Sequence, residues 1–313
     1  MSKLTEKTEE VNYVPGVKSI NTKDVVSFFK DPESQKFVYK TLSLSFDRVK
    51  KADFVLLTTV EHLEPDVLSA LNRYQPNYAI GPINFSKNLP TNVVCSKSLW
   101  YESDCASWLE SKSPGSVLYV SFESFVHSSK KIIEEVAYGL LLSGVNFIWV
   151  IRERILNSGD NANVLPLGIE NEVKGQGLIV HWCDQIKVLS SPVVGGFLTH
   201  CGWNSTVEII WYGVPMICYP ISYDQPTNRK LVVDDWKIGI VMGFRVVNFM
   251  NGKHGEARSE KWSRDVEGNL DKSEMGDGSA VSRVMSENEK TIEIETRGAP
   301  TTFDQEKNDS SEA

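Results

Sequence analysis

With 313 residues and 41% hydrophobic content, the chain can hold one large domain or two of ordinary size around buried cores. A net charge of −8 and a pI near 5.3 leave no clustered Lys and Arg face for a polyanion, which excludes nucleic acid as an expected partner. Five cysteines (Cys95, Cys105, Cys183, Cys201 and Cys218), odd in number and without CxxC spacing, speak against a disulfide framework or structural zinc and for a reducing cytoplasm. The opening MSKLTEKTEE is polar where a secretory signal needs an apolar stretch. No apolar run approaches the roughly 18 residues of a membrane span.

In chain order, Ala52–Leu57 and Tyr78–Ile80 read as short strands, and Pro65–Tyr74 between them as a helix with Val67, Leu68 and Leu71 about one turn apart. This is the pattern of the end of an α/β domain. A linker follows around Phe85–Leu99, and then a helix in SDCASWLES that Ser103 is placed to cap. From Ser116 the runs SVLYVSF, NFIWVI, GLIVHW, VVGGFLT, VPMICYP and IGIVMGF recur with helical or turn segments between them, including Ser129–Leu142 with apolar residues at helical spacing. Near-continuous apolar strands imply a parallel sheet covered on both faces, hence a doubly wound α/β domain. Beyond Asn251 the composition changes: residues 252–313 carry nine Lys or Arg against fifteen Asp or Glu, with only Trp262 and Phe303 as aromatics. That is too little apolar surface to offset the entropy of ordering, so a disordered acidic tail is expected.

The stretch Trp182–Gln225 concentrates chemistry-bearing residues at the carboxyl ends of predicted strands, where open parallel sheets bind ligands. The turn His200–Ser205 lies between the strand Gly195–Thr199 and a helix predicted over Cys201–Gly213. Asn204 and Ser205 can place donors at the helix amino end, and His200 can add another, for a phosphate; simple capping by Asn or Ser is the plainer alternative. Glu208, four residues after Asn204, can accept bonds from two ribose hydroxyls or stand as a solvated helical acid. Trp182 offers a flat face for a base or is a core indole. Asp224 and Gln225 pair a carboxylate with an amide, suited to adjacent sugar hydroxyls, or are turn residues.

Taken together and in register, these residues closely resemble the signature box of plant UDP-dependent glycosyltransferases, the family-one enzymes of GT-B fold. The 44 positions match without a gap through W-x-x-Q, V-L, GGFLTHCGWNS, E, G-V-P, P and DQ. The resemblance extends from about Tyr13 to about Gly243 through YVPGV, KKADFVLL, YAIGP, SLWYESDC, GSVLYVSF and NRKLVVDDW. It implies a GT-B-like α/β chain with one doubly wound UDP-sugar-binding domain at 116–251. Residues 1–92 would be the remnant of an acceptor-binding α/β domain, 93–115 a linker and 252–313 the tail.

The same resemblance implies that Trp182 stacks on uracil and that Gln185 and Glu208 hold the ribose. His200, Asn204 and Ser205 would hold the pyrophosphate, with the Ser124 hydroxyl nearby, and Trp203, Asp224 and Gln225 the sugar. Gln225 is similar to the residue of glucose users, so UDP-glucose is the expected donor and a small lipophilic alcohol the acceptor. Transfer would proceed with inversion, without metal or other cofactor, the helix amino end stabilising the leaving diphosphate.

Departures from the pattern are also informative. Glu123 stands where the family has Gly near the diphosphate, Asp184 where small residues or Pro are common, and Ser191 where His is common. The first histidine, His62, aligns with a surface position and is a poor base. The expectation is therefore a truncated enzyme with its donor half present and its catalytic His and Asp absent. The alternative from another class is a noncatalytic UDP-sugar-binding protein. A nicotinamide-dependent oxidoreductase is set aside for want of GxGxxG after an early strand.

Overall fold

The structure, a computed structural model, describes residues 9–30, 36–81, 101–122, 130–152, 165 and 168–242. Ser124, Glu123, most of the linker before Tyr101 and the acidic tail lie outside the described residues. The described residues open with a two-residue antiparallel pair, β1 (Glu10–Val11) and β2 (Ile20–Asn21), followed by a 3-10 turn at Thr22–Asp24. Helices α1 (Ser27–Lys30) and α2 (Lys36–Val49) come next. A small βαβ unit follows: β3 (Val55–Leu57), α3 (Pro65–Leu71) and β4 (Asn77–Ala79), with β3 and β4 parallel. Pro65 stands at the first position of α3, where its missing N–H costs nothing. Both strands expose apolar side chains, among them Leu56 and Tyr78.

Helix α4 (Ala106–Glu110) leads into the main body. The element order there is β5 (Val117–Ser121), α5 (Lys130–Ser143), β6 (Asn146–Val150), α6 (Ile169–Glu172), β7 (Gly177–Val180), α7 (Gln185–Leu189), β8 (Val194–Thr199), α8 (Trp203–Tyr212), β9 (Met216–Cys218), α9 (Gln225–Lys230), a π-helical turn at Leu231–Asp235 and β10 (Gly239–Val241). All six strands are parallel in the order β7-β6-β5-β8-β9-β10. The chain walks outward from β5 to β7, returns to the middle at β8 and walks out the other way. The crevice between the carboxyl ends of β5 and β8 is therefore the topological switch point at which such sheets bind ligands.

Alternation along each strand sends side chains into two separate cores. Leu118, Val120, Phe147, Trp149 and Leu198 pack with Ile133, Val136 and Leu140 of α5 on one face. Tyr119, Ile148, Phe197 and Met216 pack with Val188 and Leu189 of α7 and Ile209 and Ile210 of α8 on the other. Each fully buried aliphatic side chain contributes roughly 1.5–3 kcal/mol, so the two helix layers hold the sheet rigid beneath the crevice.

Some sequence expectations need correction. The cap of α4 is Cys105 and not Ser103: the Asp104 carboxylate accepts from Ala106 N at 2.9 Å, while Ser103 N donates to the Trp182 carbonyl at 2.9 Å. The helix expected over Cys201–Gly213 is confined to Trp203–Tyr212, because Cys201 adopts a left-handed φ of 66° and Gly213 ends the helix at φ 65°.

Candidate functional site

Every described candidate residue stands on the carboxyl side of β7, β8 or β9 or on the first two turns of a following helix. Gln185 begins α7, which Asp184 caps by accepting from Lys187 N at 3.2 Å. The acid that departs from the family pattern at this position thus has a structural job. From α7, Gln185 Nε2 reaches across to α8 and donates to Glu208 Oε2 at 2.6 Å and to Ser205 Oγ at 3.1 Å. The Tyr119 hydroxyl donates to Gln185 Oε1 at 3.4 Å from below. Three predicted residues, Gln185, Ser205 and Glu208, are thereby joined in one polar cluster. Burial raises the Glu208 carboxyl above its ordinary value, the Gln185 hydrogen bond opposes this, and the Asp184 charge adds to it.

Trp182 is half-buried two residues after β7, and the Arg152 guanidinium lies 4.3 Å from its ring centroid. Helix α8 is entered through Gly202 in extended conformation, with no side chain capping it. Asn204 is exposed and does not cap, so the first-turn N–H groups of α8 face the crevice without the side-chain acceptor that plain capping would supply. A Cβ at Gly202 would lie 2.5 Å from His200 Nε2, so the imidazole would have to shift to admit one. Trp203 spends its indole N–H on the Thr58 carbonyl, at 2.8 Å, just past β3. The side chain assigned to the sugar thus also ties the small βαβ unit to the crevice.

Burial pushes the His200 imidazole down to about 4, against the opposing effects of a hydrogen bond to the Ser121 backbone and the Asp224 carboxylate. The ring is neutral at pH 7, so its single N–H is spent on the Ser121 backbone and its other nitrogen is an acceptor. Because its folded value lies below the ordinary 6.5, the unfolded chain takes up the proton first on acidification. The associated stability is fully present above pH 6.5 and is lost on falling to pH 4, on the order of 3 kcal/mol. Replacing His200 with Gln is expected to flatten this part of the profile. Urea midpoints of both proteins at pH 7 and pH 5 check it, and equal losses in the two would refute the assignment.

At the end of β9 the Asp224 carboxylate accepts from Asn228 Nδ2 at 2.7 Å, and the same Nδ2 donates to the Cys201 carbonyl at 2.9 Å. Gln225 is 1% exposed, and its Oε1 accepts from Ile221 N and Ser222 N, both at 2.8 Å. The acceptor end of its amide is thus committed to shaping the loop. Residues missed by sequence reasoning are Tyr119, Arg152 and Asn228. Asn228 had a local signal, its i, i+4 spacing from Asp224 at a helix start. Arg152 directly follows the apolar run NFIWVI, whereas the reach of Tyr119 to Gln185 has no local signature. His62 is exposed, and Ser124 lies outside the described residues. Among the described residues no group of three or more His, Cys, Asp or Glu could hold a metal ion. No described helix is long and apolar enough to cross a membrane.

The family model for UDP-glucoronosyl and UDP-glucosyl transferase matches residues 35–246, which is more than half of the chain. The chain belongs to that family. Among curated relatives, UDP-glycosyltransferase 86A1 of Arabidopsis thaliana is 52% identical over 241 residues, covering 76% of this chain and 48% of the relative. The chain thus spans about half the length of the curated relatives it matches. Among solved structures, Phytolacca americana UGT2 complexed with UDP-2fluoro-glucose and pterostilbene superposes with a TM-score of 0.71 at 30% identity, over 93% of this chain and 62% of that one. Os79 from O. sativa in complex with UDP gives a TM-score of 0.74 at 26% identity, over 91% of this chain and 64% of that one. The fold is therefore of the GT-B kind expected, with the six-stranded sheet as its doubly wound element.

Proposed function

We propose that this chain binds a UDP-sugar, UDP-glucose in preference, and serves a glycosyltransferase that moves the sugar with inversion to a hydroxyl of a small lipophilic acceptor. The observation that carries the reading is the cluster of Gln185, Ser205 and Glu208 at the switch point, bonded across 20 and 23 residues of sequence. An amide and a carboxylate held together there present the donors and acceptors that a ribose diol matches. In this reading Trp182 stacks on uracil, and Gln185 with Glu208 holds the ribose. The pyrophosphate lies at the amino end of α8 beside His200, Asn204 and Ser205, with Ser124 contributing its hydroxyl. Trp203, Asp224 and Gln225 hold the sugar. Oriented first-turn N–H groups of α8 stabilise the negative charge that develops on the leaving diphosphate without a metal or other cofactor.

Residues 116–251 form the donor-binding domain, residues 1–92 contribute to the acceptor side across the linker 93–115, and residues 252–313 form an acidic tail. The base that deprotonates the acceptor is left unassigned. The compartment is the cytoplasm, in keeping with four described cysteines that are free thiols. UDP-2fluoro-glucose in the Phytolacca americana complex supports glucose as the donor sugar, and pterostilbene supports a lipophilic acceptor.

The test is a calorimetric titration of the full chain with UDP, UDP-glucose and ADP. UDP and UDP-glucose are expected to bind, and ADP to bind at least about tenfold more weakly, a gap of about 1.4 kcal/mol. Absence of heat with UDP, or equal binding of ADP, would reject the donor pocket.

A further inference from the structure

The loop that carries Asp224 is gripped by a segment about two hundred residues away. Ser27, which opens α1, donates its backbone N–H to the Tyr223 carbonyl at 2.8 Å, and its Oγ accepts from Tyr223 N at 2.7 Å. Both main-chain polar groups of Tyr223 are therefore held by one residue. Tyr223 needs such a grip, because its φ of 57° lies in the left-handed region that a bulky side chain rarely adopts unless its surroundings fix it.

The segment carrying Ser27 is itself anchored. The buried Asp24 carboxylate pairs with the Arg229 guanidinium of α9, and the Asp24 carbonyl accepts from Thr227 Oγ1 at 2.7 Å. Arg229 is in turn held by Asp234 at 3.1 Å. The 3-10 turn before Ser27 and helix α9 thus form one docked unit, and the loop Ile221–Asp224 leads directly into that helix. Asp224 follows Tyr223 directly, so the backbone angle that Ser27 holds helps to set where the carboxylate points, together with the bond from Asn228 Nδ2 at 2.7 Å.

We propose that Ser27 is a positioning residue for the sugar-binding loop. It acts through Tyr223 to aim Asp224, and so governs recognition of the hexose and not of the UDP moiety. The proposal rests on the donor-pocket reading above. The UDP part of the pocket, at Trp182, Gln185, Ser205 and Glu208, shares no hydrogen bond with Ser27 among those described. Perturbing Ser27 should therefore separate the two halves of the ligand. The partly buried serine tolerates truncation by one oxygen without opening a core.

The experiment compares the full-length chain with Ser27→Ala and with the conservative Ser27→Thr, titrating each with UDP and with UDP-glucose. Loss of the hydroxyl acceptor is expected to leave UDP affinity within about twofold while lowering UDP-glucose affinity about fivefold, the effect of one ordinary hydrogen bond. Ser27→Thr should restore most of it. In parallel, hydrogen exchange at the Tyr223 amide should accelerate about tenfold in Ser27→Ala and not in Ser27→Thr. Equal weakening of both ligands would make Ser27 merely structural and overturn the proposal, as would an unchanged ratio of the two affinities. A wild-type chain that binds neither ligand overturns the donor pocket and the selection of the sugar together. The exchange data then judge the grip alone, and unchanged Tyr223 exchange in Ser27→Ala overturns that too.

Discussion

Replacing Trp182 with alanine is expected to weaken UDP binding by about 5- to 150-fold, from the roughly 1–3 kcal/mol that an aromatic platform contributes to stacking one base. The ring is well placed for that role. Its backbone is fixed by the bond from Ser103, and Arg152 lies 4.3 Å from its centroid, a cation–π contact that pins the indole. Burial lowers the Arg152 pKa from its ordinary value, yet a guanidinium remains charged at any working pH. Trp182→Phe keeps a flat face and should retain most of the affinity, whereas a Trp182→Ala titration indistinguishable from wild type would remove the base from this site.

The largest effect on stability is expected at Gly195. A Cβ built there lies 2.1 Å from the Gly115 carbonyl oxygen and 2.8 Å from its carbon, and a main-chain carbonyl cannot rotate aside as a side chain can. The strands β5 and β8 shift register between Val117 and Leu118, next to this contact, so the two central strands approach closely where β8 is bare. Gly195→Ala should cost about 3 kcal/mol, the upper end of ordinary overpacking. Gly144→Ala is the control: its φ of 66° is strained but no atom lies within 4 Å of the added carbon, so about 1 kcal/mol is expected. Urea midpoints of the two variants that moved equally would refute the steric argument.

The strands of the main sheet were legible in the sequence because the central ones are buried on both faces and each reads as a short apolar run. Val117–Ser121, Val194–Thr199 and Met216–Cys218 all fall within runs singled out from composition alone. Helix ends were less legible, since they depend on single backbone angles. Cys201 turns left-handed between β8 and α8, and Gly202 takes the cap position that Asn and Ser had seemed fit to fill. Asp184 shows the reverse case: a departure from the family pattern that the backbone explains as a helix cap. What sequence periodicity could not carry were pairings across the fold. Ser27 with Tyr223, Asp24 with Arg229 and Trp203 with Thr58 join segments 145 to 205 residues apart, and no local spacing encodes them.

The 2.6 Å bond between Gln185 and Glu208 bears on how sharply the proposed donor pocket would discriminate among nucleotides. A buried polar group left unpaired by an analogue lacking a hydroxyl imposes a large penalty, and that penalty is the usual source of strict selection. Here the two groups satisfy each other while they wait. A ligand whose sugar ring lacks a hydroxyl would leave that mutual bond standing instead of stranding either partner. In the proposed donor pocket, exclusion of deoxynucleotides at this position is accordingly expected to be gradual, with strict selection coming from the base and from the hexose.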